Sequence, residues 1–165
     1  MLDLETLGTE PGCAILSIGA VKFNADGISD EFERGISLKS NSEAGLTIDG
    51  DTLDWWTGQD NFESVLTGEE PLRTALYDFG RFYGDSDEIW AYSPSFDCAI
   101  LQSAYEAVDV IKPWHYWDER CCRTLDNLID HDIAQEGDEH NALDDARNQA
   151  RIVIAALEEL GNELR

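Results

Sequence analysis

The succession of strand-like and helix-like segments is what most limits the folds open to this chain. Asp3-Leu4-Glu5 lies in a short apolar run that ends at Thr6-Leu7-Gly8, which reads as a strand and its turn. Ala14 to Phe23 is rich in β-formers and is followed by the turn Asn24-Ala25-Asp26-Gly27; Ile28 to Ser37 then alternates as a partner strand does. Together these predict a three-stranded antiparallel meander. Residues 39–50 read as a polar loop, and Asp51 as the N-cap of a short helix carrying Leu53, Trp55 and Trp56. Pro71 to Tyr83 places Leu72, Leu76, Phe79 and Phe82 or Tyr83 at helical spacing, with proline near the first turn. A short strand over Glu88 to Tyr92, a helix from about Phe96 to Val108, and a loop with a short strand over 109–123 follow, with Thr124 as the expected cap of another helix. In the last helix Leu143, Ala146, Ala150, Val153, Leu157 and Leu160 alternate steps of three and four and form one apolar face. Strands first, then helix alternating with strand, predicts an α/β mixed sheet with helices on its faces. With 165 residues and no repeat or linker, one domain over 1–165 is expected.

Three acidic segments stand out within this frame. Side chains two apart on a strand share a face, so Asp3 and Glu5 converge. Carboxylates so placed repel each other, and a hard divalent cation relieves the repulsion. In so acidic a chain one Asp-x-Glu is expected by chance, and the other two segments give it weight. Asp97 follows a strand through Ser93-Pro94-Ser95-Phe96, at or near a helix start. There it is either a capping acid or a ligand delivered to the carboxyl edge of the sheet. His140 and Asp145 are five residues apart; helical throughout, they would sit about 140° apart. They face one site only if His140 lies in the loop feeding the last helix, an arrangement that Asn141 as N-cap and Asp144 three positions later support. Such a set suits metal-dependent hydrolysis of a phosphodiester. His115 is expected to pack in its aromatic loop and His131 to be solvated. Trp55 and Trp56 offer either a stacking surface for a base or a pair with at least one member in the core.

An apolar content of 42% and five Trp argue against disorder. No run has the length of a membrane span, and no signal segment opens the chain. Cys13, Cys98, Cys121 and Cys122 lack CxxC spacing and read as reduced thiols of a cytoplasmic protein. The net charge of −24 runs against the basic footprint usual for nucleic-acid partners. With only Lys22, Lys39 and Lys112 against eight Arg, the acidic surface suits molar salt, where the screening length is roughly 3 Å. A halophilic source and an acidic phage or bacterial protein with its basic residues gathered at one cleft are both open. Activity that falls steadily from low KCl upward removes the first.

Asp3-Leu4-Glu5-Thr6-Leu7-Gly8, Ser95-Phe96-Asp97 and His140-x4-Asp145, in this order and at these separations, resemble the three motifs of the DEDDh branch of the DnaQ-like 3′–5′ exonucleases. LDLETLGTEPGCAILSIGAVKF, TLDWW, SFDCAILQSAY and PWHYWDERCCRTL bring the chain nearest to the phage-type exonucleases and the bacterial exoribonucleases related to RNase AS. The resemblance covers nearly the whole chain. It implies an RNase H-like fold with a five-stranded mixed sheet, its first three strands antiparallel, flanked by helices. It implies two Mg²⁺ or Mn²⁺ ions held by Asp3, Glu5, Asp97 and Asp145, about 3.5–4 Å apart across the scissile phosphate. His140 is then the general base for the attacking water, and backbone at Thr6 and Leu7, with Phe96 nearby, holds the 3′-terminal nucleotide. The implied partners are single-stranded 3′ ends of DNA or RNA, with a phage-like source favouring DNA slightly; relatives include homodimers.

Two departures accompany the resemblance. Only Met1 and Leu2 precede Asp3, so the strand edge is expected to fray; either the true start lies upstream or the metal site is weakened. Where relatives often carry Trp-Gly-Asn-Gly before Ser-Phe-Asp, this chain has Trp90-Ala91-Tyr92-Ser93-Pro94. The alternative to a working exonuclease is a nucleic-acid-binding or regulatory module that keeps the fold with weakened catalysis.

Overall fold

The computed structural model describes residues 1–161; the last four residues of the domain expected over 1–165 lie outside the described residues. Strands β1 (Leu2–Thr6), β2 (Ile15–Asn24) and β3 (Gly27–Gly35) form the antiparallel meander. β4 (Ile89–Ala91) and β5 (Glu119–Cys121) continue the sheet parallel to β1, giving the order β3-β2-β1-β4-β5. The helices are α1 (Leu38–Glu43), α2 (Gly50–Trp56), α3 (Phe62–Val65), α4 (Leu72–Tyr83), α5 (Asp97–Ala107), α6 (Cys122–Asp126) and α7 (Ala142–Glu159). The result is an α/β fold with a five-stranded mixed sheet flanked by helices, as the order of segments predicts. Among the described residues no helix is long and apolar enough to cross a membrane.

Strand alternation divides the core in two. Leu2, Leu4, Ile18 and Ala20 pack with Leu76 and Phe79 of α4 and Ile100, Leu101 and Tyr105 of α5. On the second face Met1 and Val21 meet Cys122 and Leu125 of α6 and the stripe Leu143, Ala146, Ala150 and Val153 of α7. The side chains of Asp3 and Glu5 point to this second face. The start of β1 is paired: the Met1 amine donates to the Val21 carbonyl at 2.7 Å, and the Val21 N–H donates to the Met1 carbonyl at 2.9 Å. The frayed edge expected from sequence is therefore not observed.

Local chemistry departs from expectation at three places. Residues 39–50 contain α1, because Asn41 is a core anchor: its amide donates to the Ile15 carbonyl and its oxygen accepts from the Ile15 N–H, both at 2.9 Å. Asp49, not Asp51, caps α2, accepting from the Thr52 N–H at 2.8 Å. Thr124 lies inside α6, since β5 runs to Cys121, paired with Ala91, and the helix starts directly from it. His115 packs within its aromatic loop as expected, its exposed ring stacked on Trp117 at 4.4 Å.

Candidate active site

Pairing places Asp3 opposite Gly19 and Glu5 opposite Ser17, so the two acids sit above small β2 residues. Gly19 makes room for α7. A methyl group there would lie 2.1 Å from the Ala142 carbonyl carbon and 2.3 Å from the Leu143 nitrogen. Backbone contact this close brings the first turn of α7, and Asp145 with it, onto β1. Asn141 caps that turn, accepting from the N–H groups of Leu143 and Asp144 at 3.1 and 3.0 Å. Glu5, His140 and Asp145 each offer a ligand atom, all within 4.8 Å of one another.

Asp97 arrives from the other side. The chain leaves β4 and turns through Ser93-Pro94-Ser95, with the N–H groups of Phe96 and Asp97 donating to the Ser93 carbonyl at 2.8 and 3.1 Å. Asp97 then opens α5, 4% exposed. Asp3 consequently belongs to two adjoining clefts. The larger, about 660 Å³, holds Glu5, His140 and Asp145 and is bordered by Thr6, Thr9, Asp49, Asp51 and Trp55. The smaller, about 390 Å³, holds Asp97, Tyr92, Ser93, Arg123 and Gln149. Asp3, Leu4 and Phe96 line both.

His140 lies in the loop before α7, as its spacing from Asp145 requires, and adopts a left-handed φ of 58°. Trp55, 46% exposed, meets its ring edge-to-face at 4.9 Å. Asn61 donates to the carbonyls of Glu139 and His140 at 3.1 and 2.9 Å and ties the loop to the α2–α3 region. Trp56 is the buried member of the tryptophan pair; its indole N–H donates to the Thr6 carbonyl at 2.8 Å. Leu7 is a correction. It is fully buried, donates to Ala14 at 2.8 Å, accepts from Asp49 at 2.7 Å and lines neither cleft. Its backbone is committed to the fold, and the cleft-lining positions nearby are Thr6, Gly8 and Thr9.

Burial is the largest influence on each of the four acids. It pushes Asp3 well above the usual carboxylate range, assisted by the charges of Asp97, Glu5 and Asp145 and opposed by the hydrogen bond from Gln149. Glu5 is pushed up to about 8 by burial, then by Asp145 and Asp97. Asp97 rises to about 7 through burial, against backbone hydrogen bonds and the charge of Arg123. Asp145 is raised by burial, against its bond from Gln135 and the nearby His140. Among the described residues no Lys or Arg forms an ion pair with any of the four. A crowd of carboxylate oxygens with no ion-paired Lys or Arg among the described residues fits a hard divalent ion.

Several contributors are absent from the sequence reading. Gln149, one turn beyond Asp145, donates to Asp3 at 2.7 Å, and Gln135 donates to Asp145 at 2.8 Å. Asn148 clamps the same loop to α7 by accepting from the Glu136 N–H and donating to its carbonyl, at 3.1 and 2.8 Å. His131, expected to be solvated, bonds Asp126 at 2.7 Å, and Asp126 accepts from the Tyr92 hydroxyl at 2.8 Å. Glutamine, asparagine and glycine carry no local signal for such roles; only the pairing of distant segments reveals them.

A family model described as the 3′-5′ exoribonuclease Rv2179c-like domain matches residues 1–157. Among solved structures, cell-death related nuclease 4 (CRN-4) superposes with a TM-score of 0.60 at 14% identity, covering 97% of this chain. The chain spans 64% of that nuclease's length, and at this identity the likeness concerns the fold. No curated protein matches the chain.

Proposed function

This chain belongs to the Rv2179c-like 3′-5′ exoribonuclease domain family, and from that premise we propose that it removes nucleoside 5′-monophosphates one at a time from single-stranded 3′ ends, with RNA as the substrate. The family description thus moves the expectation away from DNA. What supports the reading is the crowding of Asp3, Glu5, Asp97 and Asp145 around two adjoining clefts, with none of them ion-paired to a Lys or Arg among the described residues and with His140 beside Glu5 and Asp145. Asp3, Glu5, Asp97 and Asp145 would hold the divalent ions, Asp3 being the residue shared by both clefts. Bound there, Mg²⁺ or Mn²⁺ supplies Lewis-acid stabilisation of the attacking and leaving oxygens.

The chain's own groups perform the rest. His140 accepts a proton as the water oxygen bonds to phosphorus and the bond from phosphorus to the 3′-oxygen breaks; solvent supplies the proton that oxygen takes up. Gln149 and Gln135 hold Asp3 and Asp145 in orientation without neutralising them. The larger cleft takes the 3′-terminal nucleotide, with Trp55 as the exposed face available to a base. Phe96, which borders both clefts, separates that nucleotide from the one preceding it.

Matched RNA and DNA oligonucleotides, labelled at the 5′ end and incubated with Mn²⁺, test this directly. The expected result is a ladder shortening from the 3′ end, 5′-monophosphates as product, faster loss of RNA, and arrest by a chelator. Stoichiometric binding with no monophosphate released would replace the enzyme with a binding module.

A further inference from the structure

The smaller cleft carries a cation that the hydrolytic site does not require. Six of the basic side chains are committed to acidic partners: Arg34, Lys39, Lys112, Arg120, Arg147 and Arg151. Of the remaining described ones, Lys22, Arg73, Arg81 and Arg123, only Arg123 lines either cleft. In a chain of net charge −24 this is, among the described residues, the one Lys or Arg beside the reacting centre that no carboxylate occupies. It is exposed, and it is held in place. Its guanidinium lies over the Tyr92 ring, 4.9 Å from the centroid. The Tyr92 hydroxyl is fixed by Asp126, which His131 holds from its other oxygen. A guanidinium stacked on a fixed ring keeps its N–H edge free for an acceptor, and its fork matches phosphate oxygens.

The direction of the strand follows from the attack. The water oxygen and the leaving 3′-oxygen lie on opposite sides of phosphorus in an in-line displacement. His140, with Glu5 and Asp145, fixes the water on the side of the larger cleft. The leaving oxygen, which belongs to the penultimate nucleoside, then faces Asp97 and the smaller cleft. That nucleoside's own 5′-phosphate is the next anion along the strand.

We propose that Arg123, carried on Tyr92, binds the phosphate on the 5′ side of the penultimate nucleoside, so that the smaller cleft is an upstream-phosphate subsite. This assignment rests on the exonuclease reading of the same site. It gives a strongly acidic protein a local means of holding a polyanion, and it sets a minimum preferred substrate: two nucleosides with a phosphate 5′ to the first.

The test compares kcat/KM for the dinucleotides pUpU and UpU, with Mn²⁺ present. The unaltered protein is expected to favour pUpU by roughly tenfold to a hundredfold, the range for a charge-assisted hydrogen bond to phosphate. Arg123→Ala is expected to remove most of that preference, with a much smaller loss on UpU. Arg123→Lys retains part of it, since the charge remains and the fork does not. Equal losses on both substrates would mean that Arg123 serves the carboxylates or the scissile phosphate, and the subsite assignment would fall. So would an unaltered protein that cleaves both dinucleotides equally well. Failure of the unaltered protein to release uridine monophosphate from either dinucleotide or from longer RNA would instead remove the functional reading itself. Arg123 has no hydrogen-bonded side-chain partner among the described residues and loses only its exposed contact with the Tyr92 ring, so melting is expected to fall by no more than a few degrees in Arg123→Ala and less in Arg123→Lys.

Discussion

The carboxylates and the histidine of this site are supported very differently. Asp3 and Glu5 stand on a strand paired on both edges, Asp97 opens a helix behind a hydrogen-bonded turn, and Asp145 rides on a helix pressed against β2 at a glycine. His140 sits at a left-handed φ on a loop, positioned by two hydrogen bonds from Asn61 and the edge of Trp55. Groups that must keep a fixed mutual geometry are placed on elements that cannot move separately. The histidine proposed as the base sits on a loop outside the sheet and the helices, where local opening costs less. The difference suggests that cation affinity belongs to the sheet and turnover to the loop.

The severest way to break this division is to remove an acid. Asp3→Asn, Glu5→Gln and Asp145→Asn are each expected to lower mononucleotide release at least a thousandfold, on the order of the several kcal/mol that the ions contribute. Isothermal titration with Mn²⁺ should show binding lost alongside. Asp145→Asn protein that still hydrolyses RNA at a near-normal rate would refute the site. His140→Ala is expected to fall next, by about a hundredfold to ten-thousandfold in kcat. Its Mn²⁺ affinity should change far less, and that split sharpens the contrast. A histidine variant that lost the metal and kept its turnover would reverse the assignment.

Gly19→Ala tests the rigid side without touching a ligand. The added methyl meets backbone atoms of Ala142 and Leu143, so α7 must shift. Overpacking of this kind costs about 1–3 kcal/mol in stability. A displacement of Asp145 near 1 Å is expected to cost roughly a hundredfold in rate. Denaturant melts and kcat should therefore fall together. Asn61→Ala, its counterpart on the loop side, removes two hydrogen bonds, worth about 1 kcal/mol each at most. The expected outcome is a few-fold loss of kcat with a fall in melting temperature of a few degrees, smaller than that of Gly19→Ala.

Gly19 and Gln149 show where reading the sequence stops. Asp-x-Glu at strand spacing, an acid after a Ser-Pro-Ser turn, and a histidine five residues before an acid with Asn141 between are local patterns, and each is found where its spacing requires. Asn141 caps α7 because capping is decided within one turn of helix. Gly19 and Gln149 act only through partners more than a hundred residues away, and nothing adjacent to them marks the role. Asn41 was hidden for the opposite reason. It sits among Ser and Gly in a segment that looks solvated, while its amide completes the backbone of β2. Leu7, by contrast, falls in the right motif, but the fold uses its backbone.

The mildest perturbation is protonation, and it separates the two sides without a mutation. In the metal-free protein Glu5 is raised from 4.5 to about 8 and Asp97 from 3.8 to about 7, both chiefly by burial. Between the unfolded and folded values the folded protein binds more protons than the unfolded chain. Stability from these groups is full below about pH 4 and declines as pH rises toward about pH 8. Divalent ions act in the opposite sense, because ligation needs the ionised carboxylates. The rise in melting temperature produced by saturating Mn²⁺ is therefore expected to grow steadily from about pH 5 to about pH 8, by several degrees. Taking the difference with and without metal at each pH cancels groups elsewhere in the molecule. In Glu5→Gln the metal-induced rise should be small at every pH, since Mn²⁺ binding is lost with that carboxylate. In Asn61→Ala it should match the unaltered protein, because that loop carries the proposed base and none of the four carboxylates. A metal-induced shift that is flat with pH would mean that the carboxylates bind their ion already ionised. The crowding on the rigid side would then not be what the cation relieves.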